Sequence, residues 1–340
     1  MPSQQEVAAR ANVSYMTVSR VVNNHPSVKK ETRALVLKAI EELGYHPNAS
    51  ARALNALKTG NIGLIFPPKE NVFSRPFYME LSLELEDQLN RRGYHLFVGM
   101  TRTGDQYRDP SLLIKEHKVD GLILVAPRAG DPEVERLISE GLPLVILHGR
   151  GDQAPAPCVD TDNVLGTGMI LRYLLQQGHR RIGFVSGNMD ETNARDRYNA
   201  YCSEIQSAGL VLDSTLVYRG DWSMESGYEA FSALRERVPD ATALCFSNDQ
   251  MALGAFRAAY DRGLSVPDDI SITGYDDTKY ASFAVPALTT VRQPLSEVAS
   301  AGVELVLERI RGDVPVRSVV LRPELKIRSS CRPIAPPTGS

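Results

Sequence analysis

Two kinds of hydrophobic spacing divide the chain near residue 60. Before that point, apolar residues recur at helical spacing within short segments, as Val18, Val21 and Val22 do. After it, short runs rich in β-branched residues alternate with longer amphipathic segments. Such alternation is typical of α/β proteins with parallel sheets. The pattern therefore predicts a small helical head followed by a larger α/β body.

Three short helices are predicted within residues 1–46. Ser3 and Glu6 fit a capping box at the start of the first helix, and Ser14 can cap the second. The third helix spans KETRALVLKAIEELGY and ends at Gly44. Its apolar positions at helical spacing are Ala34, Leu35, Leu37, Ala39, Ile40 and Leu43. The very short first connection predicts a helix-turn-helix unit.

The body contains a series of predicted strands separated by predicted helices. The strands are NIGLIF, YHLFVGM, DGLILVA, LPLVILH, RIGFVSG, STLVYRG, ALCFSND and ISITGYDD. Amphipathic helices such as FYMELSLELEDQLNRRG, NVLGTGMILRYLLQQG and DQMALGAFRAAYDRG lie between them. Repeated β-α units imply parallel sheets with right-handed crossovers. A break near APAPCVDTDN predicts two doubly wound halves.

Composition excludes several classes of protein. Hydrophobic residues make up 43% of the chain, and no apolar run approaches the roughly 20 residues of a membrane span. The start, MPSQQEVAAR, lacks a secretory signal, so we expect a cytoplasmic protein. The cysteines Cys158, Cys202, Cys245 and Cys331 are scattered without a CxxC motif. Free thiols, no metal site and no cofactor are therefore expected.

Charge is distributed unevenly along the chain. The net charge is −3, but residues 1–60 carry +4 and the remaining 280 residues carry −7. A basic head on an acidic body suggests a small anion-binding module attached to a different function.

The segment SYMTVSRVVNN begins with two bulky side chains, Tyr15 and Met16. Its valines already occupy the core-facing positions, so these two side chains are available for another contact. In a helix-turn-helix unit, the start of the second helix meets base edges in the DNA major groove. Arg20, one turn further on, can reach guanine or phosphate. The short hydroxyl side chains suited to phosphate contacts are Ser14, Thr17 and Ser19. The alternative is that Tyr15 and Met16 are partly buried and Arg20 is a solvated charge.

Polar and aromatic residues follow several predicted strands, where ligands lie in open α/β sheets. In the first half they are Arg75, Phe77, Arg128, His148 and Arg150. In the second half they are Asn193, Arg197, Trp222, Asn248, Asp249 and Asp276. Acidic and amide oxygens, a guanidinium fork and an aromatic face suit a carbohydrate. We assign Asp249 instead as a helix N-cap, and two cleft-facing arginines would favour an anionic sugar.

Nine segments resemble, in order, landmarks of the LacI/GalR (lactose-repressor) family. They are EVAARANVSYMTVSRVVNN, VKKETRALVLKAIEELGYHPNASARAL, VDGLILVAP, VDTDNVLG, QQGHRRIGFVSG, SNDQMALGAFRA, ITGYDD, LTTVRQP and LRPELKIRSSC. The resemblance covers nearly the whole chain. It implies an all-α helix-turn-helix head plus an α/β two-lobed periplasmic-binding-protein-like domain with two doubly wound parallel sheets. The tail RPIAPPTGS lacks the leucine heptads that some relatives use to form tetramers.

The resemblance also implies domain boundaries. A DNA-binding domain is expected over residues 1–46 and a hinge helix or linker over 47–60. An effector-binding and dimerisation domain is expected over 61–335. Its N-lobe is expected at about 61–159 and 292–321, and its C-lobe at about 160–291 and 322–335.

Roles in DNA binding follow from the same resemblance. Tyr15, Met16 and Arg20 fall on base-reading positions, and Met16 offers only apolar contact, for example to a thymine methyl. Leu54 falls on a wedge that enters the minor groove, although it could be an ordinary linker leucine. Lys29 stands where the family usually has a serine cap, so we expect Ser27 to replace it. The expected DNA-contacting set is Ser14, Tyr15, Met16, Thr17, Ser19, Arg20, Asn23, Asn48 and Leu54.

For the effector, the resemblance assigns Arg197, Trp222, Asn248 and Asp276. The full expected effector-binding set is Phe77, Arg128, His148, Asn193, Arg197, Trp222, Asn248 and Asp276.

Together these features predict a dimeric transcription regulator. We expect it to bind a near-palindromic operator as a repressor that a small sugar-type effector releases. Asn193 and Glu191 stand near where a group that reads a nucleobase would lie, so a purine-type co-repressor is an alternative effector. A further alternative is a ligand-binding protein with a non-functional head. The sequence lacks GxSxG, HExxH and P-loop motifs, so no enzyme is expected.

Overall fold

The computed structural model describes residues 2–22, 25–45, 58–67, 75–100, 109–151, 155–312 and 316–334. The chain forms two compact units, residues 1–61 with 113–120 and residues 62–112 with 121–340. Three residues of the expected DNA-contacting set, Asn23, Asn48 and Leu54, lie outside the described residues, as does most of the expected linker.

The head contains three helices, as the sequence predicts. They are α1 (Gln4–Ala11), α2 (Tyr15–Val22) and α3 (Lys30–Leu43). The capping box of α1 is present, since Glu6 N donates to Ser3 Oγ at 3.2 Å and Ser3 N donates to a Glu6 carboxylate oxygen at 2.6 Å. Ser14 Oγ accepts from Thr17 N at 3.1 Å and so caps α2 as expected.

The core of the head is small, and the predicted apolar face of α3 is wrong in part. Val36 and Ala39 are buried, whereas Leu35 and Leu37 are 57% and 52% exposed. Because α1 and α2 are each only eight residues long, they cover a narrow strip of α3. The remaining buried apolar residues of this core are Val7, Ala8, Val18, Val21 and Tyr45.

The start of α3 also differs from expectation. Its N-cap is Lys29, which makes no side-chain capping hydrogen bond. Ser27 does not replace it, because the Ser27 hydroxyl pairs with His25 Nδ1 at 2.8 Å. Arg33 of α3 donates to His25 O in this turn at 2.8 Å and to Val21 O of α2 at 3.5 Å.

The N-lobe is built on a six-stranded sheet with strand order β11-β5-β4-β3-β1-β2. Its strands are β1 (Asn61–Phe66), β2 (His95–Met100), β3 (Gly121–Val125), β4 (Leu144–Leu147), β5 (Cys158–Thr161) and β11 (Ser318–Leu321). The connecting helices are α4 (Pro76–Asn90), α5 (Ser111–Lys115) and α6 (Pro132–Ser139). The pairings β1–β3, β3–β4, β4–β5 and β5–β11 are parallel.

The C-lobe is built on a four-stranded parallel sheet with order β7-β6-β8-β9. Its strands are β6 (Ile182–Ser186), β7 (Val217–Arg219), β8 (Ala243–Phe246) and β9 (Ser271–Thr273). Its helices are α7 (Asn163–Gln176), α8 (Thr192–Ser207), α9 (Met224–Arg237), α10 (Asp249–Asp261) and α11 (Lys279–Phe283).

The chain passes between the lobes after β5, after β10 (Thr290–Arg292) and after β11. Strand β10 pairs antiparallel with β12 (Glu324–Lys326). Between them, α12 (Leu295–Arg311) buries Val298, Ala299 and Val303 in the core of the N-lobe. Each lobe is therefore assembled from segments that are distant in sequence.

None of the helices in the described part of the chain combines the length and the apolar character that a bilayer span needs.

Candidate functional site

A cavity of about 530 Å³ lies between the two lobes. Its volume falls within the range of about 300–1,000 Å³ that is typical of small-molecule sites. Exposed apolar side chains, including Met79, Leu83 and Tyr280, stand at its outer part. The buried polar and aromatic residues that line it are Tyr78, His148, Glu191, Asn193, Arg197, Trp222, Asn248, Asp276, Thr278 and Gln293.

Arg197, from α8, is the buried cation of this lining. Its Nε donates to Asn163 Oδ1 at 2.8 Å, and its Nη1 donates to the carbonyl oxygen of Ser247. The guanidinium carbon lies 3.6 Å from the centroid of the Tyr275 ring. Nη1 also lies 3.9 Å from Asp276 Oδ1. These contacts fix the guanidinium, so it presents its donors in one orientation.

Asp276 is buried beside a second carboxyl group. Burial raises the pKa of Asp276 to about 7, although the Arg197 charge and a hydrogen bond from Gln293 oppose the shift. Burial and the charge of Asp276 raise the pKa of Asp249 well above its usual range. Near neutral pH this wall of the cavity can therefore hold or release a proton.

Trp222 is both a core residue of the C-lobe and part of the cavity wall. Its Nε1 donates to Glu191 Oε1 at 3.0 Å. A Cβ atom on Gly187 would lie only 2.1 Å from the indole, so glycine is required for this approach. The indole is thus fixed in place and can cover the apolar face of a ligand ring.

Asn248, and not Asp249, is the helix cap at this wall, and Asn248 also lines the cavity. Asn248 is the N-cap of α10, because its Oδ1 accepts from Met251 N at 2.9 Å. Its Nδ2 donates to the main-chain oxygen of Trp222 at 3.0 Å, which ties the cap to the backbone of Trp222. Asp249 is the first helical residue and accepts from Thr278 N at 2.8 Å, so its assignment as the cap was wrong.

His148, at the end of β4, lines the cavity as expected. Its Nε2 is buried and has no hydrogen-bond partner among the described residues. Its Nδ1 faces Asp160 Oδ1 at 3.8 Å, and Phe77 contacts the ring edge-on at 4.9 Å between centroids. Burial and the charge of Arg197 lower the pKa of His148 to about 3, so the ring is neutral near pH 7.

Two predicted arginines do not reach the cavity. The backbone of Arg128 bridges Glu191, and its side chain lines a separate small pocket beside Asp131 and Glu133. Arg150 forms a bidentate ion pair with Asp196, at 2.6 and 2.9 Å. The expectation that Arg128 binds the effector is therefore wrong.

Of the three arginines considered from sequence, Arg75 alone lines the cavity, and its Nη2 also donates to Asp221 O at 3.2 Å. The condition for an anionic sugar, two cleft-facing arginines among these three, is therefore not met.

Gln293 is a cavity residue that the sequence analysis missed. It follows β10 directly, and its Nε2 donates to Asp276 Oδ1 at 2.8 Å. The available signal was a polar residue at the end of a β-branched run, in LTTVRQP. The strand is only three residues long, so the sequence alone did not identify it as a strand.

Unusual backbone conformations concentrate at the cavity. Seven non-glycine residues in the described ranges have positive φ, and four of them line it. These are Ala126 (φ 43°), His148 (53°), Trp222 (74°) and Asp276 (124°). Such conformations persist only where surrounding structure enforces them, and they cluster at functional sites.

The second candidate surface is the start of α2. Tyr15 and Met16 are 52% and 59% exposed, whereas Val18 and Val21 of the same helix are buried. Arg20 is also exposed. Tyr15 and Met16 therefore lie outside the core of the head, whereas an exposed Arg20 fits both a contact with DNA and the alternative of a solvated charge.

A helix-turn-helix head and a two-lobed body with a central cavity together define a class: DNA-binding regulators controlled by a small molecule. Residues 4–48 match the family model for "Bacterial regulatory proteins, lacI family", and residues 171–331 match a "Periplasmic binding protein-like domain". The chain belongs to the lacI family of bacterial regulatory proteins. It is thus a transcription regulator and not an enzyme.

The similarity to known proteins extends over almost the whole chain. The HTH-type transcriptional repressor PurR of Pasteurella multocida is 33% identical over 335 residues, which cover 98% of this chain and 99% of PurR. The transcriptional regulator CelR–cellobiose complex superimposes with a TM-score of 0.75 at 32% identity, covering 97% and 100% of the two chains. The lac repressor dimer bound to operator and the anti-inducer ONPF gives a TM-score of 0.84 at 27% identity, covering 97% and 99%.

Proposed function

We propose that the protein is a cytoplasmic homodimeric repressor whose binding to a near-palindromic operator is controlled by a neutral sugar. The observation that carries the DNA-binding part is the exposure of Tyr15 and Met16 at the start of α2. These two neighbouring side chains stand at the start of the second helix of the helix-turn-helix unit, where base edges in the major groove are contacted.

Individual DNA contacts follow from this placement. Arg20 reaches a guanine or a phosphate, and Met16 contacts a thymine methyl. The hydroxyl groups of Ser14, Thr17 and Ser19 position the helix on phosphates. The proposed contacts of Asn23, Asn48 and Leu54 rest on the sequence alone.

The proposed domain division supports a dimer on two half-sites. Residues 1–46 form the DNA-binding domain, 47–60 the linker, and 61–335 the effector-binding and dimerisation domain. Two heads held by a dimeric body read half-sites one helical turn of DNA apart, or a multiple of it. The related lac repressor is a dimer bound to operator in its solved structure, which supports this arrangement.

The charge of the cavity favours a neutral effector. Its described lining holds three cationic side chains, Arg75, Arg197 and Lys279. It also holds three acidic side chains, Glu80, Glu191 and Asp276, and burial raises the pKa of Asp276 to about 7. A phosphate or carboxylate on the ligand would add negative charge beside these acidic side chains. Removing that charge from water would also cost free energy. A related regulator, CelR, has been solved with cellobiose, which supports a sugar.

Contacts across the cavity mouth explain how a ligand can act at a distance. Glu80 on α4 accepts from Lys279 N at 3.0 Å, and Arg75 donates to Asp221 O. These bonds join the two lobes and stabilise one relative orientation of them. A ligand shifts the equilibrium only by binding one orientation more tightly, and that difference is what reaches the DNA-binding heads.

The test combines DNA binding with a ligand panel. Full-length protein is mixed with labelled genomic fragments, and retained fragments are titrated with glucose, galactose, cellobiose, glucose 6-phosphate and hypoxanthine. We expect one neutral sugar to raise the melting temperature and to release the DNA, and Arg197→Ala to abolish both effects. Failure to retain any fragment would overturn the DNA-binding part. Stronger retention with hypoxanthine would favour a purine-type co-repressor.

A further inference from the structure

The last turn of α2 carries Arg20, and its terminal carbonyl groups need partners from outside the helix. The carbonyl oxygen of Arg20 accepts from His25 N at 2.8 Å. The carbonyl oxygen of Val21 accepts from Nη1 of Arg33, on α3, at 3.5 Å. Two carbonyl groups at the end of α2 are thus bound by residues that follow this helix in the chain.

Arg33 joins the end of α2 to the turn that comes after it. Its other terminal nitrogen, Nη2, donates to the carbonyl oxygen of His25 at 2.8 Å. A guanidinium presents its donors in a rigid planar fork, so a single side chain can bind two carbonyl groups at a fixed separation. Its positive charge is also favourable there, because a helix dipole places partial negative charge at the C-terminal end. Arg33 therefore holds the last turn of α2 and the turn in one arrangement.

The packing of α2 on α3 does not by itself fix α2 in this way. Val18 and Val21 are buried in the same apolar core as Val36 of α3. Apolar packing is non-directional, so it tolerates small rotations and shifts of a helix that has only eight residues. Hydrogen bonds have a preferred geometry and remove that freedom. Arg33, one turn before Val36, supplies them at the end of α2 that carries Arg20.

We propose that Arg33 is a positioning residue for base reading, because its two bonds hold the last turn of α2 where the Arg20 guanidinium meets a base. This inference rests on the proposed function, in which Arg20 contacts the operator. It assigns Arg33 no contact with DNA. Pairing of an arginine with a base edge depends on geometry, whereas phosphate contacts carry no sequence information. A displaced α2 therefore loses specificity while it keeps affinity for DNA of any sequence.

Binding of full-length protein to two DNA duplexes tests the inference. One duplex carries the sequence that wild type protects within a retained genomic fragment, and the other carries the same bases scrambled. Arg33→Met keeps an apolar stem and removes the donors. We expect the ratio of the two affinities, measured by fluorescence anisotropy at one salt concentration, to fall about 5-fold to 150-fold, the range for one lost base contact. It should fall no further than in Arg20→Ala.

A double-mutant cycle separates positioning from a general loss of stability. In the background of Arg20→Ala, Arg33→Met should change the ratio by less than about 2-fold, because the group that Arg33 positions is already absent. Arg33→Lys keeps the charge but lacks the planar fork, so its ratio should lie between those of wild type and Arg33→Met. The matched control is Arg10→Met, which removes an arginine that pairs with Glu42 and should leave the ratio unchanged.

Three results would overturn the inference while the DNA-binding repressor stands. The first is an unchanged ratio in Arg33→Met. The second is an additive cycle, in which Arg33 acts independently of Arg20. The third is equal weakening of both duplexes with a salt slope smaller by about one, which indicates a phosphate contact.

Two further cases are distinguishable from these. If Arg33→Met fails to fold and binds neither duplex, the cycle is run with Arg33→Lys, and additivity there overturns the inference. If wild type retains no fragment at all, both the inference and the proposed function fail.

Discussion

Arg197 Nη1 lies 3.9 Å from Asp276 Oδ1, and both side chains are buried in the wall of one cavity. The separation is longer than a hydrogen bond, so the pair attracts without direct contact. Arg197 donates instead to Asn163 and to the Ser247 carbonyl, and Asp276 accepts from Gln293. A hydroxyl group of a ligand can therefore accept from the guanidinium and donate to the carboxylate at the same time.

Asp276→Asn is expected to reduce the pH dependence of stability. The pKa of Asp276 is raised from 3.8 to about 7 by burial. Between these values the folded protein binds more protons than the unfolded chain, so the free energy of unfolding falls as pH rises from about 4 to about 7. The variant lacks this contribution. Denaturant unfolding at several pH values measures it, with the exposed residue changed in Asp87→Asn as control. Equal slopes for Asp276→Asn and wild type would contradict the buried carboxyl.

Substitution of Asn248 should separate helix capping from ligand binding. Asn248→Ala removes the cap of α10 and should cost about 0.5–2 kcal/mol of stability. Asn248→Ser restores a capping oxygen but not the bond to Trp222 O, so it should recover part of the stability. Both variants should bind the sugar more weakly than wild type, because Trp222 loses a support. Thermal unfolding and calorimetry measure the two effects. A serine variant as unstable as the alanine variant would refute the capping role.

Arg20→Ala should weaken binding to the operator by about 1–3 kcal/mol if the guanidinium reads a base. The expected signature is a smaller ratio of operator affinity to affinity for scrambled DNA, measured by fluorescence anisotropy at one salt concentration. Arg10→Ala is the control, because Arg10 pairs with Glu42 within the head. An unchanged ratio for Arg20→Ala would remove this residue from the base-reading set.

Leu54→Ala should lower operator affinity and reduce DNA bending while sugar affinity stays the same. An apolar wedge costs a few kcal/mol of base unstacking and is repaid by the contacts that bent DNA allows. This prediction rests on the sequence, because Leu54 lies outside the described residues. Gel mobility of circularly permuted DNA fragments reports the bend, and Leu54→Met, which keeps an apolar wedge, should behave like wild type. Normal bending with the alanine variant would make the segment a plain linker.

Strands buried on both faces were predictable from their sequences alone. β1 and β3 appear as the continuous apolar runs NIGLIF and DGLILVA, because helices cover both faces of a parallel sheet. The capping residues Ser3 and Ser14 were equally clear, since a cap depends only on neighbours along the chain.

Features that depend on distant partners were not predictable in the same way. β5 has the sequence CVDT, which becomes a strand because β4 and β11 lie on either side of it. Arg128 follows a strand as a site residue should, yet the chain turns at Ala126 and takes its side chain elsewhere. Gln293 belongs to the cavity only because β10 carries it next to Asp276. Pairing of this kind leaves no periodic signal in the sequence.

The pairing of β5 with β11 has a consequence for synthesis of the chain. A ribosome releases β5, then the entire sheet of the C-lobe, and only afterwards α12 and β11. We expect the N-lobe of a fragment that ends before β11 to be more sensitive to protease than the same lobe in the full chain, and equal sensitivity would contradict this order. Until β11 arrives, one edge of β5 is open to pairing with other chains. Frameshifts near the 3′ end of the message would therefore damage the lobe that was translated first.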